Sequence, residues 1–498
     1  MTVFAPIIIP LLYVIAALMT RSKQFKQSFA VVAAVVNLLW ALYLVYTVNI
    51  NEMVVSHTGS RPAPFSIVLV ADRFSALMVL VSAFLFLATT IYSIRAIDET
   101  RKKNGFFLLS FGILTGVNGS LMAGDLFNLY VWFEVMLMGS FILISFGGEK
   151  QQLEGAIKYL ILNLIGSFFL LGGVGILYGE VGTPNFADLS QKISASEELF
   201  SMLTPALVLF VVGIAIKAAL FPFFFWLPAS YHTPPPAVTA LFAGLLTKVG
   251  IYALIRVYTL VLYQDDTFWN PFIMWMGVLS MVIGVLAASS QRDFRKILSF
   301  HIISQIGYVV IGLAFFTVKG LAAAIFFLVH NMLAKTNAFL VAGWVHKERG
   351  HLDLQGLGDM FRKSTLWGTL FFVSAFSLAG LPPLSGFAGK FLVIKSGIMA
   401  GETAVAMVAL FVGFFTLFSM VKIWVEVFWK PDPVTTSPAV AAGIDSGNSG
   451  LMLFSSVMMA VAIIALGVFA RPFAEFCEAA AADLLDPEKY RSFVLLSD

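Results

Sequence analysis

Four lysines and one glutamate lie where hydrocarbon would surround them. Lys217, Lys248, Lys335 and Lys390 each interrupt an apolar run, and Glu134 does the same in "LYVWFEVMLMGSF". Nearly all the remaining Lys and Arg residues fall in connections, in the tail or close to the end of an apolar run. A charge at the centre of a spanning helix costs ~2.5–3.5 kcal/mol even on lenient insertion scales, so five would sum to over ~10 kcal/mol without a polar interior. The chain must therefore build one. Four lysines cannot pair one to one with a single deep acid, so some face water and neutral polar groups. A lysine held this way can release and regain a proton, which is the requirement of a relay. The structural alternative is that these charges only pin helices together. Distance makes a relay tunable: a carboxylate ~4 Å from an ammonium interacts by ~4 kcal/mol at an effective dielectric of 20, and by ~1.7 kcal/mol at ~10 Å.

These residues must be positioned by helices. The chain has 498 residues, 59% hydrophobic and 12% charged, with a mean hydropathy of +0.91; soluble domains carry about 25% charged residues. Its apolar runs recur at the ~20 residues needed to cross a bilayer. The reading is an all-α polytopic membrane protein of about 14 spans, with no soluble domain. Connections after odd-numbered spans are rich in Lys and Arg ("RSKQFK", "RAIDETRKK", "QRDFRK"), whereas two after even-numbered spans are acidic ("FADLSQKISASEE", "YQDD"). The positive-inside rule makes the odd connections cytoplasmic and puts both termini outside. The longest polar connections are 179–204 and 430–450, and the tail after residue 471 reads as a partly amphipathic interface or partner contact.

Two spans are broken. Span 7 carries Pro222 after Lys217 and ends at Pro228; span 12, "SLAGLPPLSGFAGKFLV", has Pro382 and Pro383 before Lys390. Such breaks free backbone groups that only protein or water can satisfy, and transporters place them at matching points of inverted repeats. The expected division is 1–105 for spans 1–3, 106–262 for a first five-helix repeat (spans 4–8), 271–429 for a second (spans 9–13) and 451–498 for the last span and tail.

Lesser candidates surround the axis. His330 shares span 11 with Lys335, and His301 lies beside Ser304 and Gln305, where it either feeds protons inward or caps the interface. Arg256 and Lys422 are expected to snorkel to the headgroups, Asp72 and Arg73 to anchor span 3, and Asp125 to cap span 5. Cys477 is the single cysteine, so no intrachain disulfide forms, and neither zinc nor iron–sulfur ligation is expected. No phosphate-binding glycine loop, metal site or cofactor site is expected, and the reading is a transporter subunit rather than an enzyme. No cluster of carboxylates and carbonyls marks a sodium site.

At four stretches the chain resembles the antiporter-like subunits shared by Mrp-type multisubunit Na⁺/H⁺ antiporters and respiratory complex I. They are "AGDLFNLYVWFEVMLMGSFILI", "KAALFPFFFWLPASYHTPPPAVTALFAGLLTKVGIYALIRV", "RDFRKILSFHIISQIGYVVIGL" and "SLAGLPPLSGFAGKF". The resemblance implies fourteen helices with two inverted five-helix repeats, Glu134 paired with Lys217, a central axis through Lys248 and a span-11 residue, and an outer connection at Lys390. It implies other Mrp subunits as partners in the cell membrane, with protons and Na⁺ as cargo. Lys390, where one complex I relative has glutamate, favours the D-type subunit. Relatives often carry a histidine one turn before the span-11 lysine; here that position is Asn331, with His330 about 100° around the helix. The link from Lys248 to Lys390 then uses His330, Lys335 or water. The alternative function is a proton-pumping subunit of a complex I or hydrogenase-type redox enzyme.

Overall fold

The computed structural model describes residues 2–59, 62–432 and 449–495; most of the expected 430–450 connection, residues 433–448, lies outside the described residues. The chain opens with α1 (Ala5–Met19) and α2 (Lys23–Asn51). An antiparallel hairpin follows, β1 (Met53–Thr58) with β2 (Ile67–Asp72), Met53 opposite Asp72. The all-helical expectation misses it. Its six-residue strands are rich in Val and Ile, which suit a pleated surface, but they are short and border longer apolar runs. Next come α3 (Arg73–Ala96), the short α4 (Glu99–Lys103), α5 (Phe106–Met122), α6 (Leu126–Ser145), α7 (Lys150–Val181) and the amphipathic α8 (Phe186–Ser194). Then α9 (Glu197–Ala218), α10 (Trp226–Ser230) and α11 (Pro236–Leu260) complete the first half.

The second half holds α12 (Asp266–Ser290), α13 (Phe294–Ala314), α14 (Val318–Arg349), the short α15 (Met360–Lys363), α16 (Thr365–Ala379), α17 (Ser385–Met399) and α18 (Thr403–Ile423). The chain continues through α19 (Gly450–Val468), α20 (Ala470–Leu484) and α21 (Pro487–Leu495). Eleven helices among the described residues are long and apolar enough to cross a membrane, and the protein is a multi-pass membrane protein. The shorter apolar helices α1, α5 and α16 stand where spans 1, 4 and 12 are expected. The most apolar windows of α11 and α14 are entirely buried. They are central, and they carry Lys248 and Lys335.

Matching backbone bonds recur in the two halves. Asp125 caps α6 by accepting from the Asn128 amide at 2.6 Å, and Asp293 caps α13 by accepting from the Lys296 amide at 2.9 Å. Each cap is clipped to the loop that follows the next helix. Leu126 donates to the Pro184 carbonyl (2.9 Å) and Phe186 to that of Gly124 (3.0 Å); Phe294 donates to Leu352 (3.0 Å) and Leu354 to Arg292 (2.9 Å). Five membrane-length helices (α6, α7, α9, α11 and α12) separate the two clips. An odd number of membrane-length helices between them fits the expected inverted second copy.

The breaks repeat as well. Helix α9 ends at Ala218, with Ala219 left-handed (φ 57°), and α16 ends at Ala379, with Gly380 left-handed (φ 92°). The next residue donates back five positions in both, Leu220 to the Ala215 carbonyl and Leu381 to that of Phe376, each at 3.0 Å. Pro222 lies in the turn before α10, and Pro382 and Pro383 lie in the turn before α17. Span 12 is thus two helices rather than one.

Two expectations are corrected, and the tail is placed. Arg256 does not snorkel: it is 4% exposed and pairs with Asp72 at 2.6 Å, because Asp72, while capping α3, turns its second oxygen inward. Lys422 turns in to the Ser289 and Gln291 carbonyls (3.2 and 2.7 Å) at the end of α12 instead of reaching out. The tail returns onto its own chain. Lys489 meets Glu52 and Asp483, each at 2.8 Å, Arg73 pairs with Asp483, and Arg491 donates to Ser190 and Tyr263.

Gly380 matters twice. Its backbone is left-handed, which costs other residues about 1–2 kcal/mol, and a Cβ there would meet Lys390 Cδ at 2.9 Å. Gly380→Ala should therefore lower the melting temperature of the assembled complex more than Gly401→Ala, where φ is +84° but the space is open. Equal shifts in a fluorescence melt would show that Lys390 is not held against the break.

Candidate functional site

The helix break explains why Lys217 is where it is. The last carbonyls of a helix lack partners and carry partial negative charge, and Lys217 stands in the last turn of α9. Its Nζ lies 3.3 Å from Glu134 Oε1 on α6 and donates to Ser167 Oγ on α7 at 2.7 Å. Ser167 in turn donates to Glu134. Three helices thus meet at one hydrogen-bonded triad. Lys217 is 3% exposed and Glu134 is 22% exposed, so the carboxylate reaches toward the rim while the ammonium stays inside. Ser167 continues a buried polar stripe on α7, Tyr159–Asn163–Ser167, at the four-residue spacing of one helix face.

Beyond the triad, Lys248 is 1% exposed on α11 and donates to the Ala243 carbonyl. Close packing brings α11 to its neighbours. A Cβ on Gly250 would meet the Ala218 backbone nitrogen at 2.8 Å, so α11 touches α9 one residue from Lys217. Thr336, beside Lys335, donates to the Ala240 carbonyl of α11 at 3.5 Å. Lys335 itself is fully buried and donates to the Leu298 carbonyl at 3.3 Å, within electrostatic reach of Lys248 and Lys390.

His330 points to the second break. Its Nδ1 lies 2.9 Å from the hydroxyl of Ser385, the first residue of α17, and 3.5 Å from that of Ser377. Lys390 donates at 3.1 Å to the carbonyl of Ala379, the last residue of α16. The carbonyl freed by the break holds the ammonium. Lys390 also sits 5.2 Å from the Tyr308 ring and lines a mostly apolar cavity of about 340 Å³. Asn331 is buried with no hydrogen-bond partner on either side-chain atom, and the same holds for His330 Nε2.

Five of the six expected proton-transfer residues are buried and Glu134 lies at the rim, and four of the six gather in two groups. Glu134 and Lys217 form one, with Ser167 between them; His330 and Lys390 form a second at the α16–α17 break, and Lys248 and Lys335 stand on the central helices α11 and α14. Among the described residues, Glu134 is the one carboxylate within 4 Å of any of the four lysines. His301 faces Ser419 on α18, close to this second group. The sequence reading missed Ser167, Ser377 and Ser385, because serine is common in membrane helices; the i, i+4 stripe on α7 was the available signal.

Toward the basic connections, a cavity of about 530 Å³ lies between α7, α10 and α13, lined by Glu154, Lys158, His232, Gln291 and Lys296. His232, in the turn outside the spanning helices, meets the Pro228 carbonyl through Nδ1 (2.8 Å). Burial, with Lys296 nearby, holds it below the usual histidine range.

A family model described as NADH:quinone oxidoreductase/Mrp antiporter, TM, matches residues 123–416, more than half of the chain. The chain belongs to this family. It is 40% identical over 496 residues to the D-type subunit of the Na⁺/H⁺ antiporter of Alkalihalophilus pseudofirmus, covering 99% of each. A chain in the solved Mrp complex of a Dietzia species superposes with a TM-score of 0.91 at 32% identity, over 99% of both chains. The archaeal membrane-bound sulfane sulfur reductase contributes a chain with a TM-score of 0.87 at 23% identity and 99% coverage of both, which shows a shared fold.

Two outcomes follow from this geometry. Ser167→Ala removes a hydrogen bond to two charged groups, worth about 1.5–3 kcal/mol, and should slow transport roughly tenfold while leaving the complex assembled; an unchanged rate in vesicles would remove Ser167 from the site. Because the folded state holds His232 below its ordinary value of about 6.5, it favours the neutral ring. That contribution to stability is present above pH ~6.5 and lost as pH falls. His232→Gln should flatten the acid-side decline in melting temperature, and an unaltered decline would assign it elsewhere.

Proposed function

We propose that this chain is the proton-translocating subunit of a multisubunit Na⁺/H⁺ antiporter, in which proton entry drives Na⁺ export. The observation that carries this reading is the buried series Glu134–Lys217–Lys248–Lys335/His330–Lys390, four ammonium groups against one carboxylate, spanning both repeats. In this reading Glu134 sets how firmly Lys217 holds its proton, through Ser167. Lys248 and Lys335 pass charge across the repeat boundary, and Lys390 connects to the outer side. Neutral Asn331 cannot titrate, so its unpartnered amide supports a hydrated segment beside His330, water being the partner that buried polar atoms take when protein supplies none. The basic connections face the cytoplasm in this proposal, and both termini face outward.

The other subunits have a physical reason to be present. Glu134 is 22% exposed on a helix that shows Val131, Val135 and Met138 to its surroundings. A carboxylate at such a rim needs cover that lipid tails do not give. A redox-driven pump is the second reading, supported by a family description that covers NADH:quinone oxidoreductase as well as the Mrp antiporter.

Lys217→Ala should abolish Na⁺-dependent pH recovery in vesicles while the complex still copurifies. Normal recovery in that variant would sink the axis. Purified native complex free of flavin and iron would support the antiporter; flavin and iron in fixed proportion would favour the redox pump instead.

A further inference from the structure

Helix α11 carries polar residues beyond Lys248. Lys248, Tyr252 and Arg256 are spaced by four, so they share one face of a helix that is buried all round, at intervals of about 6 Å along its axis. This face runs from the middle of the bundle toward the side that holds the β-hairpin, α8 and the tail. Tyr252 donates to the Leu121 carbonyl at 2.6 Å and accepts from Arg256 Nη2 at 3.0 Å. A hydroxyl that both donates and accepts can pass a proton. The stripe is therefore a line of polar side chains that leads from Lys248 toward that side without passing Lys335 or Lys390, with the Tyr252 proton resting on the Leu121 carbonyl.

Arg256 stands at its end. A guanidinium stays protonated at any physiological pH, so it cannot accept a proton and hand it on, and its charge opposes the approach of another cation. Asp72 cannot take over the transfer. One of its oxygens is 2.6 Å from Arg256 Nη1, and the other accepts from the Ser75 amide at 2.8 Å. The pair is closed from outside: the Arg256 and Asp72 side chains are 4% and 3% exposed. Tyr490 of α21 lays its ring 5.5 Å from the guanidinium, and Arg491 pins α21 through Ser190 and Tyr263. Asp125 lies near the same cluster. Lys248 turns its ammonium the opposite way, toward Ala243. A buried ion pair brings little net stability against an apolar replacement, so a purely structural role leaves its place on this stripe unexplained.

We propose that Arg256, held by Asp72 and covered by α21, is an electrostatic stopper. It keeps protons on Lys248 from escaping along α11, so that they cross to Lys335 and the second repeat. The stopper rests on the proton-axis reading above.

The test uses the complete complex in sealed vesicles with an imposed pH gradient and no Na⁺. Arg256→Gln combined with Asp72→Asn removes both charges together and should raise the Na⁺-independent proton leak at least tenfold. Adding Lys248→Met should return the leak to the level of the unaltered complex. Where the double variant fails to assemble, Arg256→Lys keeps the charge and the partner but can release its proton, and it should leak by the same Lys248-dependent route. An assembled variant with no leak overturns the stopper, as does a leak indifferent to Lys248→Met. Loss of antiport in Lys217→Ala together with a tight Arg256 variant would reject the stopper alone; intact antiport in Lys217→Ala would reject the axis beneath it.

Discussion

An ammonium group in the middle of a membrane must be given oxygen atoms, and much of this fold supplies them. A continuous helix offers only the spare lone pair of a carbonyl already bonded to an amide, as Ala243 does to Lys248 and Leu298 to Lys335. Interrupting the helix releases its last carbonyls and concentrates negative charge there. Lys390 takes the freed carbonyl of Ala379 directly. Lys217 stands at the negative end of α9 and takes the rest of its cage from Ser167 and Glu134. The price is a disrupted backbone, and it explains why α9 and α16 both stop mid-membrane against central helices that can wrap the gap.

The same constraint orders the packing. Central helices must be smooth where they meet a break, and small side chains sit at those points. Gly250 lets α11 lie against Ala218. A Cβ on Gly386 would run into the Ser377 carbonyl oxygen, so the start of α17 can tuck under the end of α16 beside His330 only as glycine. Apolar helices on the periphery, such as α2 and α18, carry no such demand.

Most of the frame was legible because hydrocarbon leaves few choices. Apolar runs gave the helices, Pro222 and Pro382–Pro383 gave the breaks, and depth alone singled out Lys217, Lys248, Lys335, Lys390 and Glu134. What escaped is instructive. Arg256 looked like a headgroup contact because it sits near the end of its run, and Asp72 looked like an anchor for span 3, whose helix it in fact caps. Their pairing joins residues 184 positions apart, and nothing local announces it. The hairpin, α8 and the returning tail were hidden because their contacts are long-range and their sequences moderately polar. The repeat was visible only in outline. Support for it comes from backbone bonds, such as those flanking Asp125 and Asp293, that side-chain identity barely records.

The exposure of Glu134 has a consequence for the life of the protein before transport begins. A newly inserted copy carries a carboxylate on a face of α6 that otherwise shows valine and methionine. Until something docks there, that one carboxylate makes the face a poor match for hydrocarbon. Glu134, bonded to Lys217 through Ser167, thus ties a buried site to whatever covers the outer face of α6.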